Sequence, residues 1–189
     1  MKVRYSYLPQ QFSNSSKLWV NLKKFVKTGD FTLGKPLEDF EKKFAALIGT
    51  RYAVGVNSGT DAIKLALKCL KIKPGDEVIT AANTFVATVG AINEIGAKIR
   101  FVDCDDSFCI NTKKIEKAIN SRTKAIVPVH FTGCVSNMDD LMKISKKHKI
   151  PIIEDACQSI LGTYKNKVSG SFGLAGAFSF HPLKNINVW

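Results

Sequence analysis

The chain has 189 residues, 45% of them apolar, with a mean hydropathy near zero, as expected of a soluble globular protein of one domain or two small ones. No apolar run approaches the ~20 residues that span a bilayer, which excludes an evident transmembrane helix. The formal charge of +12 would suit a nucleic-acid binder, but there are four arginines (Arg4, Arg51, Arg100, Arg122) and the lysines are dispersed at helix-surface spacing, so the charge reads as solvated helix faces.

Met1 to Tyr7 carries charge with no apolar stretch behind it, so no secretory signal is read there and the expected location is cytoplasmic. The five cysteines, at 69, 104, 109, 134 and 157, are odd in number and form no CxxC pair. They read as small buried hydrophobes in a reducing compartment, not as zinc ligands or a disulfide framework.

Residues 1–14 read as irregular. Ser15 or Ser16 caps a helix running to about Val26, with Leu18, Leu22, Phe25 and Val26 on one face. A glycine-punctuated loop, Thr28 to Gly34, precedes a helix from about Pro36 to Ile48, in which Leu37, Phe40, Phe44 and Leu47 recur at helical spacing. Tyr52 to Val56 reads as a strand. It turns through Asn57-Ser58-Gly59-Thr60-Asp61 into a helix carrying Ala62, Ile63, Leu65, Ala66, Leu67 and Leu70. Ser58 with Asp61 three residues on suits simple capping. A helix N-terminus after a strand also presents free N–H groups to a phosphate, and the residues alone leave both meanings open.

A turn at Lys73 to Asp76 leads to a strand at Glu77–Ala81. Asn83 to Thr88 then opens an apolar helix ending near Gly96. Lys98–Asp103 is a strand, Asn111 or Thr112 to Asn120 a basic surface helix, and Thr123–His130 a strand ending in histidine. No metal partners stand in spacing with His130, which reads as a hydrogen-bonding group beside a pocket. His148, in a lysine-rich helix end, reads as a surface residue. A helix from about Met138 to Lys149 returns the chain to Pro151. This alternation predicts right-handed crossovers and a largely parallel sheet with helices on both faces, with ligands at the strand ends where Gly59, Phe85, Asp155 and Ser179 fall.

Two stretches carry the chemistry. Pro151-Ile152-Ile153-Glu154-Asp155-Ala156-Cys157-Gln158-Ser159 is a short apolar strand that delivers an acid at its end. Gly176-Ala177-Phe178-Ser179-Phe180-His181-Pro182-Leu183-Lys184-Asn185 is a second, ending in a hydroxyl, a ring, a proline and a lysine. An acid and a lysine beyond neighbouring strands are the parts that hold pyridoxal 5'-phosphate: the lysine as Schiff base, the acid on the pyridinium nitrogen.

Glu154 to Ser159 and Ser179 to Asn185 resemble the DegT/DnrJ/StrS-type sugar aminotransferases, and the resemblance runs in order from about Leu8 to the last residue. It implies the large domain of a fold-type-I transferase dependent on pyridoxal phosphate. That domain is an α/β, three-layer α/β/α structure on a mostly parallel mixed sheet. From this resemblance, about residues 1–50 are expected to form an N-terminal segment and about 51–189 an incomplete cofactor-binding domain, with the family's small C-terminal domain absent. The resemblance makes Lys184 and Asp155 catalytic. It assigns Gly59, Thr60 and Asp61 to the phosphate turn (Asp61 through its backbone), Ser179 to the phosphate, Phe85 to stacking on the ring and Gln158 to the ring hydroxyl. The loop at Thr28 to Gly34 matches one near the family's sugar site, although by its residues it is equally a plain connector.

The expected activity is amino transfer, from glutamate, to a nucleotide-linked keto sugar, by a homodimer when full length, with neither nucleic acid nor membrane as partner. Two alternatives stand. One is a sugar dehydratase of the same family, opposed by Lys184 because histidine commonly takes the lysine's place there. The other is a truncated or regulatory member without activity, since Trp189 follows Lys184 by five residues where relatives continue. The expectation is that this is part of a longer reading frame.

Overall fold

A computed structural model describes residues 6–188; the readings of residues 1–5 and of Trp189 lie outside the described residues. Five parallel strands form the centre: β1 (Glu77–Ala81), β2 (Lys98–Val102), β3 (Thr123–Val127), β4 (Ile153–Asp155) and β7 (Ala175–Ala177). β1 lies between β2 and β3, and β4 pairs with β7. Single bridges from Ile126 to Ile152 and from Val129 to Asp155 join the two groups, in the order β2-β1-β3-β4-β7. A short antiparallel hairpin, β5 (Thr163–Tyr164) with β6 (Lys167–Val168), stands apart.

Strand periodicity divides the core into two layers, because successive side chains point to opposite faces. Val78, Val127 and Ile153 meet Ile63 and Leu67 of α4 (Gly59–Cys69) and Ala91 and Ile92 of α5 (Val86–Glu94). Their sequence neighbours Ile79, Ile126 and Ile152 meet Ile115 of α6 (Thr112–Ala118) and Met138, Leu141 and Ile144 of α7 (Met138–His148). The expected three-layer α/β/α arrangement follows from this alternation. All these side chains are buried, and each valine, leucine, isoleucine and methionine among them contributes on the order of 1.5–3 kcal/mol of transfer free energy.

The N-terminal helices are α1 (Leu8–Gln11), α2 (Ser16–Thr28) and α3 (Lys35–Ile48); α2 and α3 end at Gly29 and Gly49, whose positive φ of 68° and 80° suits glycine. Phe44 of α3 packs edge-on against Phe178 (centroids 5.0 Å apart) and Phe180 (5.4 Å), which braces the segment carrying Ser179. In α2, Leu18, Leu22 and Val26 stand exposed, and Phe25 of the same predicted face meets Phe31 edge-on at 5.7 Å.

The strand expected at Tyr52 to Val56 is corrected. The segment pairs with no strand among the described residues, and Tyr52 and Val54 are exposed. The Gly55 N–H donates to Glu41 Oε1 at 2.6 Å instead. β-branched composition alone makes no ladder without a neighbour to bond. The α1 turn, the β5–β6 hairpin and the 3₁₀ turn at Phe131–Gly133 went unpredicted.

Candidate active site

One cleft of about 710 Å³ opens at the carboxyl ends of the strands, and Gly59, Thr60, Phe85, Asp155, Gln158, Ser179 and Lys184 all line it. Seven of the eight residues singled out from sequence therefore share a cavity. Asp61 does not line it: its carboxylate contacts Lys64 Nζ at 2.5 Å and Asn57 Nδ2 at 3.2 Å, and its N–H donates to Ser58 Oγ at 3.1 Å. The hydrogen bonds from Lys64 and then Asn57 hold the Asp61 carboxyl below its ordinary value.

Gly59 and Thr60 are the first two residues of α4. Ser58 caps Asp61, and the Ala62 N–H begins the helix ladder on Ser58 O at 2.9 Å. The N–H groups of Gly59 and Thr60 have no hydrogen-bond partner among the described residues, at the positive end of an eleven-residue helix. A Cβ on Gly59 would lie 2.7 Å from Cys157 Sγ and 3.0 Å from Ser179 Cβ, so only glycine lets the helix start lie this close to both.

Asp155 ends β4 and is buried. Its Oδ2 accepts from Thr88 Oγ1 at 2.7 Å and its Oδ1 from the Cys157 N–H at 3.2 Å. Gln158 Oε1 accepts from the Thr132 N–H at 2.9 Å, which leaves its amide N–H groups as donors at the cleft. Phe85 caps α5 and is 60% exposed, although an apolar residue there would ordinarily pack into a core. Lys184 Nζ lies 5.6 Å from the Phe85 ring centroid. Ser179 Oγ accepts from the His181 N–H at 3.3 Å.

Behind the cleft, Glu154 is fully buried and accepts four donors: the N–H groups of Gly170 (2.8 Å), Phe172 (2.7 Å) and Gly173 (2.7 Å), and His130 Nε2 (2.9 Å). His130 Nδ1 accepts from the Ser136 N–H at 3.2 Å, which places the ring proton on Nε2. Burial alone would raise the Glu154 carboxyl, but the His130 ring and the Gly173 and Gly170 N–H groups hold it below its ordinary value. Glu154 thus ties β4 to the loop before β7, and His130, just after β3, holds the same carboxylate one residue from Asp155. His148 bonds Glu116 Oε1 at 2.8 Å on the surface.

Sequence reasoning missed Thr88, Cys157, Thr132 and His181. All but Thr88 line the cleft, and Thr88 reaches it through Asp155. Burial, and then the Asp155 carboxylate, push the Cys157 thiol up, so it is an un-ionised wall and not a nucleophile. The one usable signal for Thr88 was its place in the first turn of the helix that Phe85 caps.

A family model for the DegT/DnrJ/EryC1/StrS aminotransferase family matches residues 14–189. The chain is 44% identical over 164 residues to UDP-N-acetyl-3-dehydro-alpha-D-glucosamine 3-aminotransferase of Acidithiobacillus ferrooxidans, an alignment covering 86% of this chain and 44% of the relative. Its fold superposes with a TM-score of 0.94 on Streptomyces venezuelae DesV in complex with a ketimine intermediate, at 36% identity over 100% of this chain and 51% of that one. NtdA of Bacillus subtilis, solved with bound cofactor PMP, superposes with a TM-score of 0.92 at 38% identity over 100% of this chain and 43% of NtdA. The chain spans about half the length of the curated relatives it matches.

Proposed function

The chain belongs to the DegT/DnrJ/EryC1/StrS aminotransferase family, and on that premise we propose that it forms the cofactor-holding part of a pyridoxal-phosphate-dependent transaminase acting on a nucleotide-linked keto sugar, with glutamate as amino donor. The observation that carries this reading is the shared cleft: Lys184, Asp155 and the unpartnered N-terminal amides of α4 face one cavity. Lys184 there favours amino transfer over dehydration.

The residues suit the cofactor. The Gly59 and Thr60 N–H groups and the Ser179 hydroxyl offer donors for a phosphate, at a place where any side chain on Gly59 would fill the cradle. Asp155 offers a buried, hydrogen-bonded carboxylate for a ring N–H, and Phe85 an exposed flat face. Gln158 offers its amide N–H groups to a ring hydroxyl. When bound, pyridoxal phosphate supplies an electron sink for the carbon that loses its proton. Asp155 keeps the proton on the ring nitrogen. Lys184 Nζ would hold the cofactor's aldehyde carbon through a carbon–nitrogen double bond, with loss of water, and once displaced would serve as the base that takes and returns the proton at the substrate carbon. Phe85 and Gln158 orient the ring between them.

We place residues from about 51 onward in the cofactor-binding domain of a cytoplasmic homodimer with no nucleic-acid or membrane partner. Five unpaired cysteines suit a reducing compartment, and the exposed Leu33 and Val54 suit a surface covered by another subunit. Among the described residues no helix is long and apolar enough to cross a membrane. The test is an absorbance titration of the cofactor-loaded protein with glutamate. The bound-cofactor band should shift saturably with glutamate and revert on adding a keto sugar nucleotide. A band indifferent to glutamate and to every other amino acid would refute amino transfer.

A further inference from the structure

Asp155 is expected to hold a ring proton, and what fixes the direction of its carboxylate is a second hydroxyl system that the sequence did not reveal. Thr88 is fully buried and its Oγ1 donates to Asp155 Oδ2 at 2.7 Å, joining α5 to the end of β4. Thr88 Oγ1 also lies 2.7 Å from Thr84 Oγ1. A hydroxyl carries a single proton. Since that of Thr88 goes to the carboxylate, Thr84 is the donor in this shorter contact, in competition with its own 3.4 Å contact to the Phe85 carbonyl oxygen. The protons therefore run one way, Thr84 to Thr88 to Asp155, and each bond polarises the next. On the other oxygen, Oδ1, the Cys157 N–H is fixed by the backbone. The carboxylate is gripped at both oxygens.

We infer that Thr88, supported by Thr84, is a positioning residue that sets the orientation of the Asp155 carboxylate toward a cofactor ring; this rests on the cofactor reading above. Thr88 is absent from the cleft lining and acts through Asp155 alone. Without its hydroxyl, Oδ2 is a buried acceptor without the Thr88 donor. The Cys157 N–H at Oδ1 then holds the carboxylate against turning about its Cα–Cβ and Cβ–Cγ bonds with one grip fewer. Valine keeps the shape and removes the hydroxyl; serine keeps the hydroxyl and loses a methyl group.

The experiment compares wild type, Thr88→Val, Thr88→Ser and Thr84→Val as whole chains, titrated with pyridoxal phosphate and read by the absorption band of the bound cofactor. Thr88→Val should weaken binding about tenfold, the worth of one hydrogen bond to a charged group, and displace the band. Thr88→Ser should bind within about twofold of wild type with the band in place, since its hydrogen bond is retained. Thr84→Val, one bond further out, should fall between them, and it carries the test if Thr88→Val does not fold. In the cofactor-free state, urea unfolding of Thr88→Val, Asp155→Asn and the double variant should be non-additive, which reports the contact independently of any cofactor. Additive losses, or Thr88→Val binding as tightly as wild type with an unmoved band, or Thr88→Ser failing as badly as Thr88→Val, would each overturn the inference. A wild-type chain that kept the coupling yet bound no cofactor would overturn the functional reading, and this inference with it.

Discussion

Gly59 and Ser179, 120 positions apart in the chain, approach so closely that a single methyl group on Gly59 would sit 3.0 Å from the Ser179 Cβ. That contact brings the start of α4 to the segment leaving β7, and it puts backbone amides and a hydroxyl around one corner of the cleft. Phe85 at the cap of α5, Asp155 on β4, and Gln158 and Lys184 on the segments beyond β4 and β7 supply the rest, and their arrangement makes separable predictions.

Gly59→Ala should destabilise the chain by about 1–3 kcal/mol, because the new methyl group meets Cys157 Sγ at 2.7 Å in a packed wall. Urea unfolding without cofactor measures this. The double variant Gly59→Ala/Cys157→Gly should recover part of the loss by removing the sulfur.

Glu154→Gln should cost about 3 kcal/mol or more, since one carboxylate satisfies three backbone N–H groups and a histidine in full burial. The sign with pH follows from the lowered carboxyl. Its stabilisation is complete above the ordinary value of 4.5 and is lost as pH falls through the depressed folded value. Wild type should thus lose stability on acidification below about pH 4.5, and Glu154→Gln should lose less over that range. Denaturation midpoints between pH 3 and 7 (a range set about the ordinary carboxylate value) check both.

Phe85→Ala should leave the unfolding midpoint nearly unchanged, within about 0.5 kcal/mol, because the ring is 60% exposed. Cofactor affinity should nevertheless fall about tenfold if the ring is a stacking surface. A loss of stability without loss of affinity would make Phe85 an ordinary packing residue.

A pulse of iodoacetamide at pH 8 should label Cys69, which is exposed, and spare Cys157 until the chain unfolds. Burial and the neighbouring Asp155 keep the Cys157 thiol protonated, and only the thiolate reacts. Peptide mass spectrometry separates the two sites.

The central strands were legible in sequence because Val78-Ile79, Ile126-Val127 and Ile152-Ile153 are buried on both faces and so form continuous apolar runs. Tyr52 to Val56 is also apolar and carries two valines yet forms no ladder, since pairing depends on a neighbour that composition does not encode. The β5–β6 hairpin was hidden for a related reason. Its turn residues Lys165 and Asn166 take positive φ (48° and 63°), and only asparagine advertises that conformation. At the site, Asp155, Gly59 and Lys184 could be read from strand ends and from resemblance. Thr88 could not, because its role is a contact across 67 positions that no local pattern carries. The resemblance groups Asp61 with the phosphate turn through its backbone, yet the Ser58 cap engages its N–H and Lys64 its carboxylate.

The most direct measurement is borohydride reduction of the chain mixed with one equivalent of pyridoxal phosphate, followed by proteolysis and mass spectrometry of every lysine peptide. The account predicts the pyridoxyl mass on Lys184 alone, and its disappearance in Lys184→Ala with Asp155 and the fold intact. Label scattered over surface lysines, or undiminished in Lys184→Ala, would contradict it.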